Sequence, residues 1–172
     1  MARLIKDGAL VSDDWTRLGA DVETDATLPA GKLIVPLRLW ETRRAELLAR
    51  GEPLGIWLDS SEHPEAAADA LAHVQLVAIN FPVFSDGRGY SYARLLREKF
   101  GFAGELRAIG DVLRDQLFLL RRCGFDSFEI RADRDPADAL ASLGDFRHVY
   151  QSATVDTDAP LLLRAAPARA GA

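Results

Sequence analysis

From residue 33 onward the chain repeats one figure: a short apolar run, a turn, then a helical stretch. Leu33-Ile34-Val35 leads into RLWETRRAELLAR (38–50), where Leu39, Arg43, Leu47 and Leu48 recur at helical spacing and Gly51 ends the pattern. LGIWL (54–58) reads as a strand and HPEAAADALAHV (63–74) as a helix with Pro64 in its first turn. VQLVAINF (74–81) is continuous, apolar and partly β-branched, as in a strand buried on both faces. YSYARLLREKF then places Ala93, Leu96 and Phe100 on one helical face and stops at Gly101. ELRAIG (105–110), DVLRDQLFLLRRC (111–123), SFEIR (127–131) and a helix opened by Asp135-Pro136 and running to about Leu143 continue the alternation, and HVYQSA (148–153) closes it.

Strands that alternate with helices in this way form βα units around a mainly parallel sheet, because a parallel partner requires a right-handed crossover. The fold class expected is therefore α/β. Five or six units are too few for a complete eight-fold barrel, so an open sheet and a partial barrel both fit the pattern. Ahead of this body, Leu4-Ile5 and Leu10-Val11 flank Asp7-Gly8, a hairpin turn signal, giving an N-terminal β-hairpin over about residues 1–12. The polar stretch VSDDWTRLGADVETDATLPAG reads as a surface loop. A chain of 172 residues is expected to make one α/β domain over residues 1–153, with 154–172 as a flexible tail.

Several function classes are disfavoured by composition. The net charge of -5 argues against a nucleic-acid binder, which carries a basic face. Cys123 is the single cysteine, so one chain can build neither a disulfide nor a cysteine-held zinc or iron–sulfur site. His63, His73 and His148 lack metal-ligand spacing, and no metal is expected. No apolar run is long enough to span a bilayer, and the start MARLIKDGALVSDDW has no secretory h-region, so a cytoplasmic protein is expected. GRG at 87–89 is only part of a dinucleotide fingerprint, so no NAD motif is present, and the cofactor stays unassigned.

Ligands of parallel α/β folds bind beyond the carboxyl ends of the strands. That rule selects Asp59, the loop FSDGRGY (84–90) and Asp111. In the loop, Gly87 and Gly89 could let backbone amides approach an anion, with Arg88 adding charge, or Asp86-Gly87 could simply make a turn while Tyr90 packs on the sheet. Asp111 is placed to cap the following helix, with Arg114 and Asp115 one turn on. The sharper expectation brings Arg88 within reach of Asp111 or Arg114 in an anion pocket. Cys123, in an apolar last turn, reads as a buried structural cysteine.

The block FPVFSDGRGYSYARLLREKFGFAGELRAIGDVLRDQLFLLRRCGFDSFEIR, with the opening LIKDGALVSDDW, resembles the bacterial domain of unknown function 934 family from the hairpin to about residue 150. Members are described as oxidoreductases of sulfite reduction because their genes lie beside assimilatory sulfite or nitrite reductase components. The resemblance implies an accessory role in sulfite reduction and sulfur assimilation, binding a reductase component or a small anion. An α/β enzyme, flavin-dependent or not, acting on a small anionic substrate at the strand ends is the alternative. Among the matching positions, Arg88, Tyr90, Arg107 and Arg114 form the candidate substrate-binding set, and Asp86 and Asp111 are the candidate acid/base groups. The arginines and tyrosines also suit a homo-oligomer interface.

Overall fold

The computed structural model describes residues 4–144 and 153–154. Eight strands form one sheet: β1 Leu4–Lys6, β2 Ala9–Val11, β3 Thr16–Arg17, β4 Leu33–Pro36, β5 Leu54–Leu58, β6 Leu76–Phe81, β7 Glu105–Gly110 and β8 Ser127–Glu129. Four α-helices accompany it, α1 Leu37–Ala49, α2 Arg88–Arg94, α3 Arg114–Arg122 and α4 Pro136–Ala141. The strand order is β2-β1-β8-β7-β6-β5-β4-β3. Pairing is parallel from β3 through β8, while β1 runs antiparallel to both β8 and β2. The expected α/β fold and N-terminal hairpin are both present.

The sheet curls into a half-barrel, and the strand order helps explain why. β2 and β3 lie at opposite edges, yet only residues 12–15 join them. Seven strand spacings make a flat sheet about 34 Å wide, whereas the five Cα steps from Val11 to Thr16 reach at most about 18 Å. The edges must therefore bend toward each other, with 12–15 crossing between them.

Helices cover the outer face. Ile5, Val35, Ile56, Leu58, Val77, Ile79, Leu106 and Phe128 pack there against Trp40 and Leu47 of α1, Ala93 of α2, and Leu117 and Leu120 of α3. The inner face holds a smaller cluster of Ile34, Trp57, Leu76, Ala78 and Ile109, with Trp15 packed on it. Both faces of the central strands are thus apolar, as the unbroken run in β6 suggested.

Five local expectations are corrected. The helix expected over residues 90–100 is α-helical only to Arg94, and Leu95–Lys99 winds as a π-helix. Residues 63–74 form no α-helix: a 3-10 turn spans Pro64–Ala67 and further i→i+3 bonds follow, Ala70 to Ala67 and His73 to Ala70. Pro64, Ala67 and Ala70 are buried at intervals of three, which matches three residues per turn. In the expected loop after the hairpin, Thr16–Arg17 adds a parallel edge strand to β4. The helix expected from Asp111 begins at Arg114, and the strand expected over 127–131 ends at Glu129. The expected strand at 148–153 and the tail fall outside the described residues, apart from Ala153 and Thr154. Among the described residues no helix is long and apolar enough to cross a membrane.

Candidate functional site

The carboxyl ends of β5 to β8 open onto a shared mouth. Asp59 follows β5 and accepts a hydrogen bond from Asn80 Nδ2 at 2.9 Å, near the end of β6. Asp111 follows β7, and Arg131 stands two residues beyond β8. An open cleft of about 650 Å³ lies over these ends, lined by Asn80, Phe81, Pro82, Gly110, Asp111, Arg131 and Asp133. A second cavity of about 290 Å³ reaches inside the half-barrel between Trp57, Asn80 and Ile109 and the segment Arg17–Ala20. Asn80 lines both.

Asp111 works as a clamp in this mouth. One carboxylate oxygen accepts from Arg131 Nη1 at 2.6 Å and the other from the Phe84 backbone N–H at 2.9 Å. It does not cap α3. Leu113 precedes that helix, and its N–H donates to Gln116 Oε1 at 2.8 Å. Both Asp111 oxygens are engaged in holding two loops together, which leaves little of it for proton transfer. Arg131 also donates to Asp133, and these two carboxylates hold its guanidinium strongly protonated.

The 84–90 loop is a self-contained turn. Asp86 accepts from the Arg88 backbone N–H at 3.1 Å and from its guanidinium at 3.0 and 2.7 Å, while Arg88 Nη2 also reaches Ser60 Oγ at 2.9 Å. Arg88 holds the Asp86 carboxyl far below the usual range, so Asp86 stays ionised and is a poor general acid or base near neutrality. Among the described residues, Arg88 makes its hydrogen bonds to Asp86 and Ser60, and none to Asp111 or Arg114. Arg88 is therefore engaged within its own loop and with Ser60 rather than bonded to Asp111 or Arg114. Gly89 serves packing instead: a Cβ there would lie 2.5 Å from the Phe81 ring. α2 has only seven residues, and its first N–H is taken by Asp86.

The remaining candidates disperse. Tyr90 sets its ring edge-on to Phe81 at 5.5 Å, and burial pushes its phenol up. Arg114 pairs with Asp138 at 2.6 Å in a separate groove between α3 and α4, and does not line the mouth. Arg107 is 1% exposed and points inside the half-barrel, where it meets Asp13 at 2.8 Å and Glu105 at 2.8 Å. Glu105 in turn holds Lys6 at 2.6 Å and Ser127 at 2.6 Å. Two cations and two carboxylates thus balance in one network on the inner face, and Arg107, buried at its centre, is fully engaged within the protein.

Asn80, Arg131, Trp57 and Arg17 line the mouth and its cavity without having been singled out beforehand. The rule of strand carboxyl ends reaches Asn80 and Arg131 if it is applied to the last strand residues as well as the loops. Arg17 carries no such signal, because it enters through a strand of two residues. Among the described residues no group of three His, Cys, Asp or Glu side chains is placed to hold a metal ion.

Comparison with curated proteins and with solved structures returns no match. A family model described as a bacterial protein of unknown function, DUF934, matches residues 55–162, from β5 through the mouth and beyond α4. That span covers more than half of the chain and contains every strand end that builds the mouth. The chain belongs to the DUF934 family.

Proposed function

We propose that this protein is an auxiliary component of assimilatory sulfite reduction in the cytoplasm, and that it acts by binding a reductase component through the loop after β6. The observation that carries the reading is the display of Val83 and Phe84, 53% and 48% exposed, at the carboxyl edge of the sheet. Their backbone is fixed rather than loose: Asp86 N–H bonds Val83 O at 3.0 Å, and Phe84 N–H bonds Asp111. Apolar side chains held on a rigid backbone lose little entropy on docking, which suits them as interface anchors. Carboxylates already hold the cations around them, so the edge favours a protein surface over a free anion. The pathway itself comes from the family resemblance.

Size-exclusion chromatography of the purified protein with the cognate sulfite reductase, together with sulfite turnover, tests the reading. A co-eluting complex that Phe84→Ser abolishes is expected. No complex and no change in turnover would overturn it. Light scattering of the protein alone separates this from self-association through the same edge.

A second reading is favoured by the 650 Å³ cleft, whose size suits a small molecule. In it the protein is an enzyme for a small anionic substrate, which Arg131 would meet on exchanging one of its carboxylate partners. Absorbance of the purified protein in the flavin region and sulfite-dependent turnover by the isolated chain test that version.

A further inference from the structure

A groove opens at the amino ends of β6 and β7, at the other end of the sheet from the mouth. One wall is the 68–74 segment, with Ala68, Leu71, Ala72 and Val74, and the other is the 100–104 loop, with Phe100 and Phe102. No lining residue carries a polar side chain, and the space is about 440 Å³, within the range of binding sites. Leu71 and Phe100 are only half-buried, and Ala72 is exposed. Lys99 stands over the Phe100 ring, 5.4 Å from its centre, and is itself held by Glu65. An apolar floor beside a charged rim is the form of a docking surface.

The chain returns to the side of this groove at Thr154. Its N–H donates to Arg122 O at 3.2 Å and its hydroxyl to Glu98 Oε1 at 3.0 Å, two residues before Phe100. Its Cγ2 lies 3.6 Å from the place of a Cβ on Gly124, whose carbonyl accepts from Arg97 Nε at 3.0 Å. The same guanidinium donates to Phe102 O at 2.5 Å and Gly104 O at 2.8 Å. One arginine side chain thus separates Thr154 from the groove wall.

Residues 155–172 follow, VDTDAPLLLRAAPARAGA, and Leu161-Leu162-Leu163 is the one run of large apolar side chains among them. Seven residues carry the chain from Thr154 to Leu161 and reach up to about 23 Å, while the gap to be crossed is one side chain wide. The family match runs to residue 162, so it extends into these leucines.

We propose that the chain's own Leu161-Leu162-Leu163 run docks in this groove and closes the amino-end face of the sheet. Leucines that would otherwise stand in water then cover Leu71 and Phe100, and burial of apolar surface on both sides drives the contact. The groove lies at the opposite end of the sheet from Val83 and Phe84, so the docking stands whether or not that edge binds a reductase.

Limited trypsin digestion of the full chain reads the docking at Arg164, directly after the leucines, with Arg169 as a control site beyond it. Ala72→Glu sets a carboxylate on the groove wall from an exposed position, which leaves the body folded. Cleavage tracks the undocked population, so Arg164 should be cut at least about fivefold faster in Ala72→Glu than in wild type. Arg169 should be cut equally in both. Protein labelled with carbon-13 at its leucine methyls is expected to show contacts from the 161–163 methyls to the Phe100 ring, lost in Ala72→Glu. Phe84→Ser should change neither readout. Equal cleavage at Arg164 in wild type and Ala72→Glu, or no such methyl contacts, would overturn the proposal. Contacts that arise between labelled and unlabelled chains of a mixture would overturn it too, since a second copy would then fill the groove.

Discussion

Arg17 on β3 and Glu129 on β8 meet at 3.0 Å although four strands lie between them in the sheet. On a flat sheet five strand spacings would hold them about 24 Å apart. The pair therefore spans the inside of the half-barrel and measures its curl. Deeper inside, Asp13 and Arg107 make a second tie of the same kind at 2.8 Å, between the 12–15 crossing and β7. The two ties differ in burial, and that difference decides their energetic weight.

The Arg17–Glu129 pair is over a third exposed on either side, within rounding, so screening leaves it little net value. Glu129→Gln is expected to cost less than about 1 kcal/mol. Glu105→Ala is expected to cost about 3–5 kcal/mol, because it strips Arg107 of one carboxylate in a buried site and leaves Lys6 and Ser127 without their acceptor. Urea denaturation of the two variants checks both figures, and a smaller loss for Glu105→Ala than for Glu129→Gln would contradict the account.

The same network sets an acid dependence. Burial acts to raise the Glu105 carboxyl, but hydrogen bonds from Lys6 and Ser127 and the charge of Arg107 outweigh it and hold the group below its ordinary range. A carboxylate with a lowered folded-state pKa contributes stability above its unfolded value, and that contribution disappears as pH falls through the folded value. The stability gap between wild type and Glu105→Gln should therefore be full at pH 7 and shrink from about pH 5 downward. Denaturant midpoints at three pH values measure it, and a gap that widens on acidification would reverse the sign.

Two glycines of the 84–90 loop should respond differently to a methyl group. Gly89→Ala drives Cβ to 2.5 Å from the Phe81 ring, so it overpacks the α2–sheet contact and is expected to cost about 1–3 kcal/mol. A Cβ at Gly87 meets nothing within 4 Å, and its φ of -84° is ordinary. Gly87→Ala should leave the melting temperature within a degree or two, and equal losses at both sites would refute the packing role of Gly89.

Burial pushes the Cys123 thiol up. Its thiolate population near neutrality is accordingly small, and access is poor. An aromatic disulfide reagent at pH 7.5 should label native protein at least tenfold more slowly than urea-unfolded protein. Equal rates would mean that the last turn of α3 opens readily.

The glycines and apolar runs of the central units were legible because they act through near neighbours. Leu33-Ile34-Val35, LGIWL, VAINF and LRAI became strands, and Ala93, Leu96 and Phe100 pack on the main core as expected, although Leu95–Lys99 reaches it as a π-helix rather than an α-helix. Strand alternation and turn residues depend on local backbone preferences, which a linear reading contains. Residues 63–74 misled it because alanine-rich composition suits an α-helix, whereas burial at intervals of three imposed tighter turns.

The sequence by itself determined the α/β alternation, the hairpin, the family and the edge of the sheet on which a site should lie. Tertiary structure alone decided which charges distant in sequence meet. Asp86 took Arg88 two residues away, while Asp111 took Arg131, Asp13 took Arg107 and Arg17 took Glu129. Such partners are chosen by the curl of the sheet and by the four-residue crossing at 12–15, through distances in space that sequence separation does not encode.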